Sequence, residues 1–249
     1  MSERAGRRVA VVMPALNAAV TIAPMIEAIP AEWVDEVVVV DDGSTDDTVA
    51  VARQLGVRVI WHPHNAGYGA NQKTCYLDVL QGDADIVVML HPDGQYEPEL
   101  IPSLIRPILA GEADFVLGSR MIVPGGARAN GMPRYKILAN RILTQIENRA
   151  MGTRLTDLHT GYRAYSRELL LEVPFLRNAI GFSFDSEMLM EASASGFRIA
   201  EVPASSRYFA DASSIGFRPG LVYGLKTLWA AARLVLHRRG LLRWRKLGG

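Results

Sequence analysis

The sequence predicts an α/β protein, a single domain with a mainly parallel central sheet. Short runs rich in Val and Ile alternate with helical patterns, an alternation typical of a doubly wound, Rossmann-like sheet. At 249 residues, 49% hydrophobic and 21% charged, the chain has the length and composition of one globular domain. Its one cysteine, Cys75, excludes an internal disulfide and fits a reducing compartment. With no secretory signal pattern in the sequence, we expect a cytoplasmic protein.

The predicted elements follow one another in a regular order. The strand segments are nearly continuously apolar, as expected for strands covered on both faces, and lie at 9–13, 36–41, 57–61, 85–90 and 114–118. Helical patterns occupy 20–29, 46–55, 70–80, 97–109 and 135–150. A short element at 161–165, a helix near 184–194 and a strand at 197–202 complete the prediction. Segment 122–132 is rich in Gly and Pro and is predicted to be a loop, the best candidate in the chain for a mobile lid or an insertion.

Polar residues follow each of the first four strands. Because ligands bind at the carboxyl ends of the strands in an open parallel sheet, we expect these residues to form one site. They are Pro14-Ala15-Leu16-Asn17, Asp41-Asp42-Gly43-Ser44, the run from His64 to Asn71, and His91-Pro92-Asp93-Gly94-Gln95-Tyr96. A dinucleotide fingerprint is not predicted, since Gln72 stands where its third glycine belongs, and no phosphate-loop Gly-Lys-Ser/Thr is present.

Asp93 is the most informative of these residues. Asp93 and Gln95 offer hard oxygen ligands, which suit Mg²⁺ or Mn²⁺. A cation there would stabilise the negative charge that grows on a departing nucleotide diphosphate. The alternative for Asp93-Gly94 is a surface turn, and the alternative for Asp41–Ser44 is a turn with helix capping. The convergence of all four strand ends favours a ligand site.

In order along the chain, these motifs resemble the inverting nucleotide-sugar glycosyltransferases that include dolichyl-phosphate mannose synthases and bacterial polyprenyl-phosphate glycosyltransferases. The resemblance covers roughly residues 8 to 210. Beyond the strand ends it rests on Gly118-Ser119-Arg120, Thr160-Gly161-Tyr162-Arg163-Ala164-Tyr165 and Phe184-Asp185-Ser186-Glu187-Met188-Leu189. It implies the glycosyltransferase-A (GT-A) fold, an inverting reaction and a UDP- or GDP-sugar donor.

The resemblance also implies roles for individual residues. Asp93 would hold the metal, with Gln95 as a second ligand. Many relatives carry an Asp where this chain has His91, and imidazole is a weaker partner for Mg²⁺ than for Mn²⁺, so His91 is a third candidate ligand that alters metal binding or donor choice. The residues expected around the nucleotide are Pro14, Ala15, Asn17, Asp41, Asp42, Asn65 and Gly69.

The acceptor side of the predicted site is basic. From Ser119 to Arg141 there are five basic residues and no acidic one, a pattern that fits a phosphorylated acceptor or, alternatively, a solvated helix face. By resemblance, the residues expected to meet acceptor or donor phosphates are Arg120 and Arg134, and then Arg163 and Arg207. A phosphate acceptor needs no general base, whereas a hydroxyl acceptor does, and Asp185 or Glu187 lies where hydroxyl-directed relatives carry theirs. Charge at a helix N-terminus is the alternative for both.

The C-terminal end carries a separate pattern. After Asp211 there are eight Lys or Arg and no acidic residue, and from Gly220 apolar residues recur at helical spacing. Interfacial helices combine apolar anchors and cations in this way. We therefore divide the chain into a catalytic domain, 1–218, and a basic amphipathic helix or tail, 219–249, that contacts the inner face of the membrane. A helix that packs against the domain and closes it is the alternative.

The sequence thus predicts a metal-dependent hexosyltransferase that acts on a polyprenyl phosphate or another membrane-associated acceptor, with no nucleic-acid partner. Transfer to a lipid or glycan hydroxyl remains an alternative, as does a non-catalytic protein that binds nucleotide sugars. A sugar-1-phosphate nucleotidyltransferase is disfavoured, because it would need a Gly-rich, Arg-containing loop after the first strand, where this chain has Pro14-Ala15-Leu16-Asn17.

Overall fold

The computed structural model describes residues 4, 6–207 and 217–242. Within them, seven strands form one sheet in the order β3-β2-β1-β4-β6-β5-β7, and only β6 runs antiparallel to its neighbours. The predicted α/β fold with a mainly parallel sheet is confirmed. The strands are β1 (Val9–Ala15), β2 (Glu36–Asp41), β3 (Arg58–Trp61), β4 (Ile86–Met89), β5 (Phe115–Ser119), β6 (Arg163–Ser166) and β7 (Ile199–Pro203).

The helices of the described residues cover both faces of this sheet. They are α1 (Ile22–Glu27), α2 (Thr48–Gln54), α3 (Tyr68–Gln81), α4 (Ile101–Leu109), α5 (Gly126–Ala129), α6 (Arg134–Met151), α7 (Arg167–Glu172), α8 (Phe184–Ala194) and α9 (Phe217–Arg238). The predicted helix at 184–194 has the observed bounds, whereas α7 was not predicted. Segment 122–132, predicted to be a loop, contains the single turn of α5. Its role as a lid remains a prediction.

Alternation along the strands divides the core into two layers. In β1, Val9, Val11 and Met13 face the layer that contains α1 and α4, and Ala10 and Val12 face the layer that contains α3, α8 and α9. Side chains of a strand point alternately to opposite faces, so a strand buried on both faces must be apolar at every position. This requirement explains why the predicted strands are continuous Val and Ile runs.

Helix α9 is part of this core. It packs against α6 and α8, and its residues Ala230, Ala231 and Leu234 are at most 4% exposed. This packing favours the alternative that the first part of segment 219–249 is a helix that packs against the domain and closes it. Residues 243–249, which hold Trp244 and the last three predicted tail cations, lie outside the described residues. Across the described ranges, no helix is both long and apolar enough to span a bilayer.

Candidate active site

Asp42, directly after β2, fixes the loop that leads into α3. Its carboxylate accepts hydrogen bonds from the backbone N–H groups of Ala66 at 2.9 Å and Gly67 at 3.0 Å. The same carboxylate lies 2.8 Å from Nδ1 of His62. Asp42 is therefore buried and fully engaged within the loops at the carboxyl edge of the sheet.

Asn17 and Asp41 join the loops after β1 and β2. The side-chain oxygen of Asn17 accepts a hydrogen bond from the Thr45 N–H at 2.9 Å, and its own N–H donates to the Ser44 hydroxyl at 2.8 Å. Asn17 adopts a left-handed backbone conformation, φ 51°, which Asn tolerates better than most residues. Asp41 is fully buried and accepts from the Ser44 N–H at 3.0 Å and from the Ser44 hydroxyl.

The other residues expected around the nucleotide lie at the same edge but differ in exposure. Pro14 and Ala15 are buried in the last two positions of β1, and Asn65 is exposed. Gly69 is buried, and a Cβ there would lie 2.5 Å from the carbonyl oxygen of Ala179. Close packing against the 179–184 segment therefore accounts for a glycine at this position, which the sequence alone had associated with the nucleotide.

His91, Asp93 and Gln95 follow β4 on one wall of the central cavity. Burial raises the pKa of the Asp93 carboxyl, and within the described residues no Lys or Arg forms an ion pair with it. Burial lowers the pKa of His91, which favours the neutral imidazole. A Cβ on Gly161 would lie 2.8 Å from the His91 ring, so the glycine makes room for the imidazole.

Asp185, at the start of α8, faces the same cavity and is held by three side chains. Tyr68 donates a hydrogen bond to its Oδ2 at 2.7 Å, and Gln72 donates to its Oδ1 at 3.1 Å. The Arg163 guanidinium lies 3.7 Å from Oδ1. Glu187, the other candidate base, instead accepts a hydrogen bond from the Ala179 N–H at 2.7 Å. Of the two carboxylates, only Asp185 lines the cavity.

Tyr68 connects the two halves of the sheet edge. It follows Gly67, whose N–H binds Asp42, and its hydroxyl lies 3.2 Å from Nε2 of His91 as well as 2.7 Å from Asp185. Its ring also contacts Phe182, with 4.7 Å between the ring centroids. The loops after β2 and β4 therefore meet through Tyr68, as expected for strand ends that share one cleft.

The cavity has a volume of about 560 Å³ and two chemically different ends. Asp93 and Asp185 lie at the polar end. The other end lies between α6 and α9, whose lining side chains are mostly apolar: Tyr135, Ile142, Leu143, Leu221, Leu225 and Leu228. Lys136, Asn140 and Tyr223 of the same two helices also line the cavity, so this wall is apolar with a few polar groups.

Two cations, Arg120 and Lys136, also line the cavity, and Arg120 is paired with the buried carboxylate of Asp157. Nε of Arg120 is 2.6 Å from Oδ2 of Asp157, and Nη2 is 2.9 Å from Oδ1. Burial alone would raise the pKa of Asp157, but the Arg120 guanidinium holds it well below its usual range. Lys136 also lines the cavity and has no carboxylate partner among the described residues. Burial and the nearby Arg120 charge lower the pKa of Lys136.

The remaining predicted arginines are not on the cavity wall. Arg163 is 1% exposed, and its guanidinium donates to the carbonyls of Thr160, Leu158 and Asp185. Arg163 therefore lies beneath the cavity, with three of its N–H groups bound to backbone carbonyls and its positive charge close to Asp185. Arg207 is exposed and lies 3.6 Å from Glu97. Arg134 is exposed at the first position of α6.

Several cavity residues were not predicted as site residues from the sequence. Tyr68 and Gln72 bind Asp185 across more than 110 positions of sequence, which no local pattern reveals. His159 also lines the cavity, with Nδ1 2.7 Å from the Tyr223 hydroxyl. His159 lies in the segment that precedes the antiparallel strand β6, one residue before the Thr160–Tyr165 motif, and the rule for the carboxyl ends of parallel strands does not reach it.

Together, the mostly parallel sheet and the carboxylates along its carboxyl edge define a glycosyltransferase of the GT-A type. The comparison with known families narrows this class. The family described as "Glycosyl transferase family 2" matches residues 10–173, and the chain belongs to it.

Similar proteins include enzymes named for sugar transfer to lipid phosphates. A dolichyl-phosphate hexose transferase of Haloferax volcanii is 35% identical over 170 residues, which cover 68% of this chain and 69% of that protein. The hexosyltransferase Agl6 of the same organism, named for low-salt glycan biosynthesis, is 34% identical over 200 residues, 78% of this chain and 46% of Agl6. This chain therefore spans about half of Agl6.

A solved structure shares the fold over nearly the whole chain. It is glucosyl-3-phosphoglycerate synthase of Mycobacterium tuberculosis in complex with Mn²⁺, UDP-glucose and phosphoglyceric acid. The two chains are 27% identical with a TM-score of 0.66, and the match covers 97% of this chain and 82% of the other.

Proposed function

We propose that this protein transfers a hexose, with inversion, from a UDP- or GDP-sugar to a polyprenyl phosphate at the inner face of the membrane. The observation that carries the proposal is the two-ended cavity, in which Asp93 and Asp185 lie opposite the apolar space between α6 and α9. A lipid phosphate has the same two-ended chemistry. The relatives named for dolichyl-phosphate transfer support this acceptor class.

Lys136 and Arg120 support phosphate binding between the two ends. Asp157 compensates one of the two positive charges, so the group keeps one uncompensated cation next to the cavity. A phosphate near Lys136 would replace the water that this half-buried ammonium group loses. Arg134, exposed two residues before Lys136 at the start of α6, would meet the phosphate as it enters. We assign Arg163 and Arg207 no direct phosphate contact.

The proposed step forms one bond and breaks one. A phosphate oxygen of the acceptor attacks the anomeric carbon, and the bond from that carbon to the nucleotide diphosphate breaks, leaving its electron pair on the diphosphate. The attacking oxygen is already anionic, so no proton has to be removed. Asp185, held by Tyr68 and Gln72, supplies a fixed negative charge beside the carbon that becomes electron-poor. With a hydroxyl acceptor, Asp185 would take the proton instead.

The residues after β4 fit a divalent cation, Mg²⁺ or Mn²⁺. Asp93 is a half-buried carboxylate without a cationic partner among the described residues, which is the environment that a metal ion would compensate. Gln95 and the neutral His91 provide an oxygen and a nitrogen donor beside it. When bound, the cation supplies positive charge for the departing diphosphate.

We propose that the nucleotide lies over the loops after β1 and β2. Asp42 and Asp41 act mainly by fixing the loops, because their carboxylates are buried and bound to backbone N–H groups. Gly69 permits close packing beneath the same region. The full set assigned to this side is Pro14, Ala15, Asn17, Asp41, Asp42, Asn65 and Gly69.

The proposal is tested by incubating the purified protein with UDP- and GDP-hexoses, Mn²⁺ or Mg²⁺, and either polyprenyl phosphate or the corresponding polyprenol. We expect a polyprenyl-phosphate sugar with inverted anomeric configuration. Asp93→Asn and Asp185→Asn should each lower kcat/KM by at least a hundredfold, since each removes a charge at the reacting groups. Asp83→Asn is the matched control, because the Asp83 side chain is 73% exposed and its ion pair in the described part of the chain is with surface Arg8.

Different outcomes separate the alternatives. Product from polyprenol but not from polyprenyl phosphate would establish a hydroxyl acceptor and assign the base role to Asp185. Tight binding of a nucleotide sugar, with neither transfer to an acceptor nor hydrolysis of the donor, would indicate a non-catalytic protein. Equal activity of wild type and Asp93→Asn would contradict the proposed metal position.

A further inference from the structure

Helix α6 exposes an apolar stripe on its outer side. Tyr135, Leu138 and Ile142 are 57%, 61% and 50% exposed, and Ile146 is 37% exposed. At about 100° of rotation per residue, these four side chains lie within roughly 80° of one another around the helix. They form one continuous strip rather than scattered contacts with water.

Helix α9 carries a matching stripe beside it. Leu221, Val222, Leu225 and Trp229 are 61%, 52%, 61% and 58% exposed, and by the same geometry they occupy roughly 100° of the helix surface. The two helices pack against each other. We refer to these eight side chains of α6 and α9 as the α6–α9 face.

The mouth of the cavity opens within this face. Tyr135 and Ile142 of α6 and Leu221 and Leu225 of α9 are each at least half exposed, and all four also line the cavity. The apolar surface is therefore continuous from the outside of the protein to the space beside Asp93 and Asp185. A contiguous apolar patch of this kind on a protein surface marks an interaction site.

The charges around the face identify the partner. Among α6 and α9 residues, the only carboxylate is Glu147, which is fully buried, so the outer surface of both helices lacks negative charge. Arg134, Arg141 and Lys226 are exposed there, and none has a carboxylate partner among the described residues. Arg233 lies over the Trp229 ring, 5.3 Å from its centroid. Apolar anchors bordered by cations fit the boundary of an anionic bilayer.

We propose that the α6–α9 face docks on an anionic phospholipid bilayer, with its apolar side chains in the headgroup region and its cations at the lipid phosphates. This placement assigns membrane contact to folded helices of the domain, in addition to any contribution from residues 243–249. It sets the cavity mouth against the lipid, so that an amphiphile enters without passing through water. The docking does not depend on which acceptor the enzyme uses.

The test measures sedimentation of the full-length protein with vesicles of phosphatidylcholine containing 30–40% phosphatidylglycerol (about one anionic lipid in three), without acceptor or donor. We expect binding to these vesicles and at least tenfold weaker binding to pure phosphatidylcholine. Leu221→Gln/Leu225→Gln should weaken binding at least tenfold, since two side chains lose their apolar insertion. Arg141→Glu/Lys226→Glu should also weaken vesicle binding at least tenfold, because each cation near anionic lipid contributes about fivefold to the affinity.

The matched control is Leu171→Gln/Leu176→Gln, which changes two leucines that are 63% and 55% exposed on other elements and should leave binding unchanged. All variants keep residues 243–249, so the cations of that segment are the same in each, and thermal unfolding verifies that each is folded. Equal binding of the face variants and wild type would overturn the proposal. So would equal affinity for neutral and anionic vesicles, or a stable dimer in solution that the Leu221→Gln/Leu225→Gln change converts to monomer.

Discussion

Replacement of Asp157 by Asn tests the electrostatics of the buried wall of the site. Asp157 is fully buried and binds Arg120, whose side chain is itself only 9% exposed. Asn keeps the shape and can still accept one hydrogen bond, but it leaves the guanidinium charge uncompensated. Loss of one partner from a buried pair costs about 3–5 kcal/mol. At about 2–4 °C per kcal/mol for a chain of this size, Tm should fall by roughly 6–20 °C.

The pH dependence of this loss follows from the direction of the pKa shift. The folded state lowers the pKa of Asp157, so its stabilising contribution is complete above the unfolded pKa of about 4 and declines as the pH falls below it. The difference in the free energy of unfolding between wild type and Asp157→Asn, measured in urea between pH 7 and pH 3, should therefore be constant above about pH 5 and narrow by about 1 kcal/mol between pH 4 and pH 3. The exposed control Asp83→Asn should change the free energy of unfolding by less than about 1 kcal/mol.

Two results would refute this reasoning. If the free energies of unfolding of wild type and Asp157→Asn differ by less than about 1 kcal/mol at pH 7, solvent already screens the Arg120–Asp157 pair. A difference that stays constant down to pH 3 would mean that the carboxylate charge is not the source of the stabilisation.

Three further predictions concern neighbouring parts of the site. Gly69→Ala should lower the free energy of unfolding by about 1–3 kcal/mol in urea titrations, because its Cβ would lie 2.5 Å from a backbone carbonyl; unchanged stability would contradict that packing. Tyr68→Phe removes the 2.7 Å hydrogen bond to the Asp185 carboxylate and should lower kcat/KM about 10- to 150-fold, and a loss below threefold would exclude Tyr68 from positioning Asp185. Lys136→Gln should raise the acceptor KM about tenfold, whereas Arg8→Gln, a change at a surface arginine that pairs with Asp83, should leave it unchanged. Wild-type acceptor binding should weaken as pH rises, beginning below the usual Lys pKa of about 10, because the pKa of Lys136 is lowered. An unchanged acceptor KM in Lys136→Gln would place the phosphate elsewhere.

The half of the site built on β1, β2 and β4 was accessible from sequence alone. Their apolar runs are strong strand signals, and parallel strands bring the residues that follow them to one edge. This rule predicted that Asp42 and Asp93 lie at the carboxyl edge of the sheet, and the resemblance of the ordered motifs pointed to Asp185. It did not show that Asp42 binds backbone N–H groups, because that depends on the path of the loop after β3.

The part of the cavity that we propose for the acceptor was harder to predict, for a physical reason. β6 runs against its neighbours, so the segment that precedes it lies at the cavity: His159 lines the cavity, and buried Asp157 binds the cavity residue Arg120. A sequence pattern predicts a strand but not its direction. Burial of a charged residue is equally invisible locally, since Arg163 belongs to a recognisable motif but lies beneath the site, paired with Asp185 from a distant helix.

The reversed strand has a consequence for how such enzymes diverge. β5 ends at Ser119, β6 begins at Arg163, and Leu117 and Arg163 pair directly, so the 43 intervening residues leave the sheet and return to it at adjacent points of one edge. A segment that leaves and rejoins the sheet at neighbouring positions can be lengthened, shortened or exchanged without shifting the register of any strand. Provided that α6 keeps its packing on α9, a transplanted 120–162 segment would bring a new acceptor preference to an unaltered nucleotide half.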